Sequence, residues 1–312
     1  MIDTSNKYET FREAKAEALV RVSDGTIEAL KKQEIPKGDV LEVARTAGIM
    51  AAKKTSELIP LCHPIPIDCV KIEYELGNNV ISIRSEVRAI WKTGVEMEAL
   101  TAVSVAALTV YDMLKPVDKK IVIERTVLLE KSGGKSDFQE HFHKSLSAGV
   151  IVISDSTFKG ERKDKSGEII KTRLKEFPIV VKEFKILPDN KGEISRVLKK
   201  LADEEKLDII LTTGGTGLGP KDVTPEATQE VLHRSVPGIT EALRTFGQKR
   251  TPRAMLSRNV AGIRGETLII NLPGSSRGVE ESLNRLFPGV LHGIKMLWGE
   301  GHNHSGKKKQ DD

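Results

Sequence analysis

Between Lys92 and Lys115 the chain reads KTGVEMEALTAVSVAALTVYDMLK, with charges at both ends and almost none between. Met97, Leu100, Ser104, Ala107, Leu108, Tyr111 and Leu114 recur at three- and four-residue steps, which predicts one stripe of an α-helix turned to a core. Ala99, Ala102, Ala106 and Ala107 are small enough to admit a second backbone at close range. Glu96 and Glu98 fall in the first turn and Lys115 in the last, where the helix dipole favours each sign. Asp112 breaks the pattern, because an acid near a helix C-terminus needs compensation, and Lys115 lies three residues on along the same face. Two readings stay open at this point: dipole-matched capping, or a functional Asp112 and Lys115 pair.

A chain of 312 residues has room for two domains, each with its own core. Residues 1–145 carry a net charge of −1 and residues 146–312 one of +6, so the basic excess belongs to the second half. Part of it is the run Lys307, Lys308 and Lys309, read as a solvated tail. With aromatic content at 4%, a base-stacking nucleic-acid platform is not expected, and a phosphorylated small molecule accounts for the scattered cations equally well. Cys62 and Cys69 form no CxxC pair and no disulfide framework, which points to a reducing, cytoplasmic setting. The opening MIDTSNKYETFREAK lacks an apolar core for a signal peptide. No stretch is expected to reach the roughly 18 apolar residues of a membrane span, so no membrane partner is expected.

The densest punctuation, KSGGKSDFQEHFHKSLS, places a domain junction between Lys131 and Ser147. The expected division is a first domain over 1–137, a linker over 138–147, a second domain over 148–300 and a disordered tail over 301–312. In the first domain the patterns predict helices at Lys7–Val22, Thr26–Lys32, Lys37–Glu57 and Met97–Leu114, and strands at Ile67–Leu76, Val80–Val87 and Lys120–Leu129. Helices beside an antiparallel sheet make an α+β domain. In the second, strands at Gly149–Ser154, Ile179–Leu187 and Asp208–Thr213 alternate with helices at Ser166–Phe177 and Glu193–Glu205. That order predicts an α/β domain of three layers with a mostly parallel sheet. Helices at Pro225–Leu232 and Thr240–Arg250, strands at Asn259–Ile263 and Thr267–Asn271, and helices at Gly278–Leu286 and Gly289–Leu297 complete it.

Reactive side chains in the first half gather in KGDV (Lys37–Val40), in KKTSELIPLCHPI (Lys53–Ile65) and in the long helix. Pro60 and Pro64 stiffen the loop that carries His63, and a positioned group needs a rigid support. Zinc is not expected, because Cys62 and His63 have no second ligand pair at suitable spacing. KGDV, LIPLCHPIPI, the long helix and KSGGKS, in this order over residues 5–137, closely resemble the cyclic pyranopterin monophosphate synthase family (MoaC type).

The resemblance implies a ferredoxin-like fold assembled as dimers within hexamers, with neighbouring subunits completing each pocket. It further implies conversion of 3',8-cyclo-7,8-dihydroguanosine 5'-triphosphate into cyclic pyranopterin monophosphate and pyrophosphate. On this resemblance the substrate contacts fall on Leu61, Cys62, His63, Met97 and Glu98. The catalytic aspartate and lysine fall on Asp112 and Lys115, and Lys37 and Lys53 match two further lysines. Lys37 and Lys115 are then expected to stabilise charge or move a proton, Asp112 to move a proton or orient Lys115, and Glu98 and His63 to hold the base and sugar. A triphosphate demands cations, and remaking a pyrimidine ring demands placed acids and bases. Trp91 departs from the family, which usually carries a small residue there.

In the second half the strand Ile209–Thr213 runs into GGTGLGPKDVTPEAT (214–228), a phosphate-type loop at the carboxyl edge of a parallel sheet. Gly214, Gly215 and Gly217 allow backbone approach, Thr224 and Pro225 are expected as N-cap and N1 of a helix, and Asp222 is placed to hold Mg²⁺ against phosphates. The loop lacks GxxxxGK[ST] and carries Pro220 where the dinucleotide fingerprint has its third glycine. Asp189, ending ILPD, reads by itself as a helix N-cap. With SDS (154–156), DKSG (164–167), TTGGTG, DVTPEAT and NLPGSS (271–276), residues 148–299 resemble the molybdopterin-binding family that includes molybdopterin adenylyltransferase (MogA and MoaB type).

The adenylyltransferase members of that family need two aspartates, which match Asp189 and Asp222 here. Gly214, Gly215, Thr216, Gly217 and Ser275 are the accompanying substrate contacts. The implied reaction joins the molybdopterin phosphate to the α-phosphate of ATP, with Mg²⁺ and ATP as co-substrates and no tightly bound cofactor. Some members of the family only bind molybdopterin, so a binding or delivery module is the competing class; a nucleotide-sensing regulator is a third. The first family forms hexamers and the second trimers, so a homo-oligomer, a hexamer or trimer of dimers, is expected.

Overall fold

The computed structural model describes residues 1–299, without the side chains of residues 135 and 136; the tail expected over 301–312 lies outside the described residues. Contacts divide the chain into a unit ending at Asp137 and a second beginning at Phe138.

The first unit runs β1 (Thr10–Arg21), α1 (Thr26–Lys31), α2 (Val40–Lys53), α3 (Thr55–Leu58), β2 (Cys69–Leu76), β3 (Val80–Trp91), α4 (Glu96–Leu114) and β4 (Val122–Ser132). It is an α+β unit with a four-stranded antiparallel sheet in the order β2-β3-β1-β4. The helix expected over Lys7–Val22 is instead β1, an inner strand bonded on both sides. TFREAKAEALVR is rich in helix formers, but Ala14, Ala16, Ala18 and Val20 alternate at period two and are fully buried under α4. Pairing with two neighbours overrides local preference. The residues between them make an ionic face in register. Glu13 meets Arg88, Lys15 meets Glu130, and Glu17 accepts from both Arg84 and Arg125.

Helix α4 corrects a second expectation. Its buried side is Glu98, Ala99, Ala102, Val103, Ala106, Ala107, Val110, Met113 and Leu114, whereas Met97, Leu108 and Tyr111 of the expected stripe are exposed. The small residues face inward because α2 and the sheet both approach closely. A Cβ added to Gly48 of α2 would stand 2.8 Å from the Ala102 carbonyl oxygen and 2.4 Å from Ile72 Cδ1. At Glu96–Leu114 the chain also carries a helix long and apolar enough to cross a membrane, with mean hydropathy 1.4, contrary to the expectation that no such stretch exists. Its alanine face belongs to the core of the first unit. Asp118, just beyond α4, accepts from Ser23 N, Ser23 Oγ, Thr26 Oγ1 and Lys120 N; against the penalty of burial these bonds hold its carboxyl at about 2.

The second unit runs β5 (Leu146–Ile153), α5 (Asp155–Phe158), α6 (Ser166–Leu174), β6 (Ile179–Leu187), α7 (Lys191–Asp203), β7 (Ile209–Thr213) and α8 (Thr224–Val231). It continues with β8 (Arg234–Ser235), α9 (Pro237–Gln248), β9 (Ala261–Arg264), β10 (Thr267–Leu272), α10 (Ser276–Leu286) and α11 (Gly289–Leu297). Its sheet has the order β6-β5-β7-β10-β9-β8, parallel through β10 and antiparallel beyond. Along β5, Ala148 and Val150 enter the core beneath α6, α10 and α11, while Ile151 and Ile153 enter the core beneath α7 and α8. Burial on both faces explains the nearly continuous apolar strands. The stretch expected as a linker is anchored to this unit: Glu140 lies 2.6 Å from His292 Nδ1 and 2.9 Å from Lys295 Nζ, and Phe142 meets Trp298 edge-on.

Gly48→Ala tests the close helix packing. The gain in helix propensity is about 1 kcal/mol, but the new methyl meets a backbone carbonyl, and overpacking costs about 1–3 kcal/mol. Hydrogen exchange should show α2 and α4 amides losing protection, with amides of the second unit as internal reference; unchanged protection would contradict the packing argument.

Candidate functional site

In the first unit, the end of α4 brings three expected residues together. Lys37 Nζ donates to Asp112 Oδ2 at 2.7 Å and to the Asp112 carbonyl at 2.8 Å, and Lys115 Nζ lies 2.6 Å from Asp112 Oδ1. Lys37 reaches this point from the turn before α2, where Asp39 caps the helix by accepting from Leu41 N and Glu42 N. Hydrogen bonds from Lys115 and then Lys37 hold the Asp112 carboxyl down at about 2, and Asp112 in turn raises the Lys115 ammonium. The two ammonium groups are thereby fixed around one carboxylate on an exposed surface.

The other expected contacts gather at the opposite end of α4. Glu98 is buried, its Oε2 has no hydrogen-bond partner among the described residues, and desolvation, only partly opposed by a backbone N–H and reinforced by Glu96, pushes its pKa up to about 7. Cys62 lies near enough that Glu98, after burial, helps raise its thiol pKa. His63 is half-buried on the same loop; Leu61 and Met97 are exposed. Lys53, in the last turn of α2, is exposed. Fourteen residues of helix separate Glu98 from Asp112, about 21 Å at 1.5 Å per residue. One copy of the chain therefore does not bring these two sets together.

Sequence reasoning misses Arg12, which is 8% exposed and donates from Nε to the carbonyl of Trp91. Burial lowers the Arg12 pKa, against the pull of Glu96 and Asp137. Glu96 itself pairs with Lys131. The alternation that buries Ala14 and Ala16 extends back to Arg12, but the helix expected there hides it.

In the second unit the loops after β5, β6, β7 and β10 meet at the carboxyl edge of the sheet. Gly214 (φ 100°) and Gly215 (φ 62°) take left-handed conformations, and a Cβ on Gly214 would stand 2.1 Å from the Ile153 carbonyl oxygen. Glycine is obligatory at such a position. Thr224 is not the N-cap of α8: it lies inside the helix, and its hydroxyl donates to the Gly214 carbonyl at 2.9 Å, folding the loop back on itself. Beneath the loop, buried Asn271 donates to Thr212 Oγ1 and Thr228 Oγ1, both at 2.9 Å, and accepts from Val260 N. Thr213 Oγ1 donates to the Pro273 carbonyl, tying the glycine loop to NLPGSS, and Ser275 caps α10 by accepting from Gly278 N.

Asp189 does not cap α7, a role taken by Asn190. It exchanges backbone bonds with Asp155 instead: Asp155 N donates to Asp189 Oδ2 at 3.0 Å and Asp189 N to Asp155 Oδ1 at 3.1 Å. Burial and the nearby Asp155 and Asp222 raise the Asp189 pKa, opposed by its backbone bond and Lys221. Lys221, 2.9 Å from Asp155 Oδ2, lowers the pKa of Asp155. Asp222 Oδ2 accepts from Gly219 N. Sequence reasoning gives Asp155 no role within SDS, passes over Lys221 and misses Arg258 entirely. Arg258 is the clamp of the loop: its backbone N donates to the Thr216 carbonyl, its Nε to the Gly217 carbonyl and its Nη2 to the Asp222 carbonyl, and Nη1 pairs with Glu226. A lone arginine forty residues downstream carries no sequence signal for such a contact.

The buried Glu98 makes stability depend on pH. Its folded pKa lies above the ordinary value of 4.5, so the folded state binds the extra proton and stability falls as pH rises from about 4.5 through 7. The full effect is roughly 3 kcal/mol at about 1.4 kcal/mol per unit. In urea titrations Glu98→Gln should flatten that decline for the first unit; an identical slope in both proteins would place the proton elsewhere.

Comparison with known proteins agrees with this two-part layout. Residues 1–134 match the MoaC family, and residues 149–292 match the family described as "Probable molybdopterin binding domain". The chain is 42% identical to the molybdenum cofactor biosynthesis bifunctional protein of Chlorobaculum tepidum over 97% of its own length and 96% of that protein. It is 37% identical to the protein of the same description in Synechococcus elongatus, over 97% and 98%. The cyclic pyranopterin monophosphate synthase of Listeria welshimeri is 56% identical over 44% of this chain and 86% of that one. Among solved structures, the molybdopterin biosynthesis enzyme MoaB of Thermus thermophilus is similar at 47% identity and a TM-score of 0.48, over 49% of this chain and 97% of that one. Because the likeness to the bifunctional relatives runs across both units, the chain belongs to the family of bifunctional molybdenum cofactor biosynthesis proteins.

Proposed function

We propose that the first unit is a cyclic pyranopterin monophosphate synthase, converting 3',8-cyclo-7,8-dihydroguanosine 5'-triphosphate into cyclic pyranopterin monophosphate with release of pyrophosphate. The observation that carries this reading is Asp112 held between Lys37 and Lys115. In the free site the carboxylate fixes both ammonium groups; against a triphosphate they neutralise the charge of the departing pyrophosphate. Glu98, poised near neutral pH, is suited to exchange a proton with the base, and His63 to hold the sugar. Lys53, Cys62, Leu61 and Met97 shape the substrate end. Since these sets stand at opposite ends of α4, a second copy of the chain supplies the missing set, and Met97, Leu108 and Tyr111 are available as exposed apolar contacts for it. The working form is a homo-oligomer, and both free thiols suit a cytoplasmic setting.

The second unit, on the same reading, adenylylates molybdopterin. An oxygen of the molybdopterin phosphate bonds to the α-phosphorus of ATP, the bond from that phosphorus to the bridging oxygen breaks, and pyrophosphate leaves with its electron pair. Among the described residues no group of three His, Cys, Asp or Glu side chains forms a ready-made metal cage. Mg²⁺ keeps waters and substrate phosphates and takes one or two carboxylates, so its binding would not need such a cage. Asp222 and Asp189 are the hard-oxygen donors for it; Mg²⁺ would neutralise phosphate charge. Gly214, Gly215, Thr216 and Gly217 offer the phosphate loop, with Lys221 as a mobile countercharge released from Asp155. The family description of the second unit speaks only of binding molybdopterin, which favours a non-catalytic delivery module as the competing reading.

Two assays decide these points. Glu98→Gln and Lys115→Ala should each lose at least roughly a hundredfold in synthase rate; mixed after dissociation and reassembly, they should recover activity toward roughly a quarter of wild-type sites if copies complete each pocket. No recovery in verified mixed assemblies would make the site internal to one copy. Full chain incubated with molybdopterin, ATP and Mg²⁺ should yield adenylylated molybdopterin, and Asp222→Asn should lower that rate by at least about a hundredfold. Absence of product with the wild-type chain leaves the delivery reading.

A further inference from the structure

The DKSG run at 164–167 has no part in either reaction as described, yet three of its four residues are engaged. Asp164 Oδ1 accepts from Gly167 N at 3.0 Å and so sets the start of α6. Gly167 is buried, and a Cβ there would stand 2.7 Å from both Val152 Cγ2 and Phe184 Cε2, so the first turn of α6 lies hard against β5 and β6. That placement carries Ser166, itself buried, to the turn after β10. Its hydroxyl donates to the Gly274 carbonyl at 3.1 Å, across 108 residues of sequence.

Ser166 is the second of two such pins. Thr213, also buried, donates from Oγ1 to the Pro273 carbonyl at 2.7 Å, so two consecutive carbonyls of NLPGSS are each held by a buried hydroxyl. In a trans peptide the N–H points opposite to the C=O. The Gly274 and Ser275 N–H groups are therefore turned away from Thr213 and Ser166, and among the described residues neither donates to another group. Behind the turn there is no slack: a Cβ on Gly274 would stand 3.2 Å from Gly214 Cα. N–H groups fixed in direction ahead of a helix are the backbone donors from which a phosphate oxygen accepts.

Resting on the reading that this unit takes phosphorylated substrates, we propose that Ser166 is a positioning residue of its site: together with Thr213 it holds the Pro273–Ser275 turn so that the N–H groups of the turn meet a substrate phosphate. Ser166 itself touches no substrate and acts through the Gly274 carbonyl. Without the hydroxyl that peptide is free to rotate, which brings a carbonyl oxygen toward the phosphate in place of a donor. The phosphate belongs either to the nucleotide or to molybdopterin, and the two sources separate in the test.

The test uses the full chain, with the affinities of Mg-ATP and of molybdopterin each measured at equilibrium and compared between wild type and variants. Ser166→Ala should weaken one of them about tenfold and leave the other within about twofold; the ligand that weakens is the source of the phosphate at the turn. Ser166→Thr keeps the hydroxyl and should restore that affinity. Thr213→Val removes the other hydroxyl at nearly constant shape and should weaken the same ligand, so it carries the test if a Ser166 variant misfolds by circular dichroism. A merely structural hydroxyl would instead lower the melting temperature and leave both affinities alone, or weaken both together. Either result overturns the proposal, as would a folded Ser166→Thr that restores nothing, or Ser166→Ala and Thr213→Val acting on different ligands. Asp222→Asn monitors the underlying reading: unchanged affinity for both ligands in that variant would place their binding outside this unit and remove reading and proposal together. Failure of the adenylylation assay with the Ser166 effect intact would remove only the catalytic reading of the unit.

Discussion

Close packing of α4 against β1 and α2 is the constraint on which the first unit depends. Ala99, Ala102, Ala106 and Ala107 are fully buried in it, and a Cβ at Gly48 would stand 2.8 Å from the Ala102 carbonyl oxygen. Packing of that density fixes α4 along its whole length, and so fixes its two ends. One end offers a carboxylate between two lysines, the other a buried acid beside the His63 loop. A rigid helix cannot bend these ends together, so the chemistry either stays divided or is completed by another copy. On the opposite side Met97, Leu108 and Tyr111 face outward, available for such a contact.

In the second unit the equivalent constraint is polar. Asn271 sits fully buried, and its three hydrogen bonds join β10 to β7, α8 and the strand entering β9. The loops after β7 and β10 leave the sheet next to this network, Thr213 ties the first to the second through the Pro273 carbonyl, and Arg258 clamps the glycine loop from the segment before β9. A fully satisfied buried network rigidifies what surrounds it, and a loop rich in glycine needs that external support, since its own residues provide little. Arg258 and Asn271 together hold by hydrogen bonds what a bulkier loop would hold by packing.

The second unit's alternation of strand and helix is legible in the sequence because strands buried on both faces are apolar throughout, a signal that survives without knowledge of neighbours. The first unit is legible where a single element carries its own pattern, as in the spacing of Asp112 and Lys115. It misleads where burial is decided by partners. In β1 the Ala, Glu and Lys residues favour helix locally, and only pairing on both sides makes them a strand. In α4 Met97, Leu108 and Tyr111 suggest the buried stripe, but the close approach of α2 turns the alanine face inward and leaves these three exposed. Thr224 follows the same rule: its composition fits a cap, while its hydroxyl is used by the loop ten residues before it. Arg258 and Arg12 are invisible because their contacts are long-range and their type is common.

The two acids of α4 carry one further consequence. Asp112 and Glu98 differ by a methylene, yet the first is held near 2 by two lysines in solvent and the second is pushed near 7 by a dry environment. Environments that drive like groups apart separate the roles available to them. At neutral pH Asp112 is an anion and holds the Lys37 and Lys115 ammonium groups. Glu98, pushed up to about 7, keeps its proton to a far higher pH than Asp112 does. A helix that presented both acids to one environment would lose this division. The length that keeps the two sets apart within one chain is therefore also what keeps their protonation states distinct.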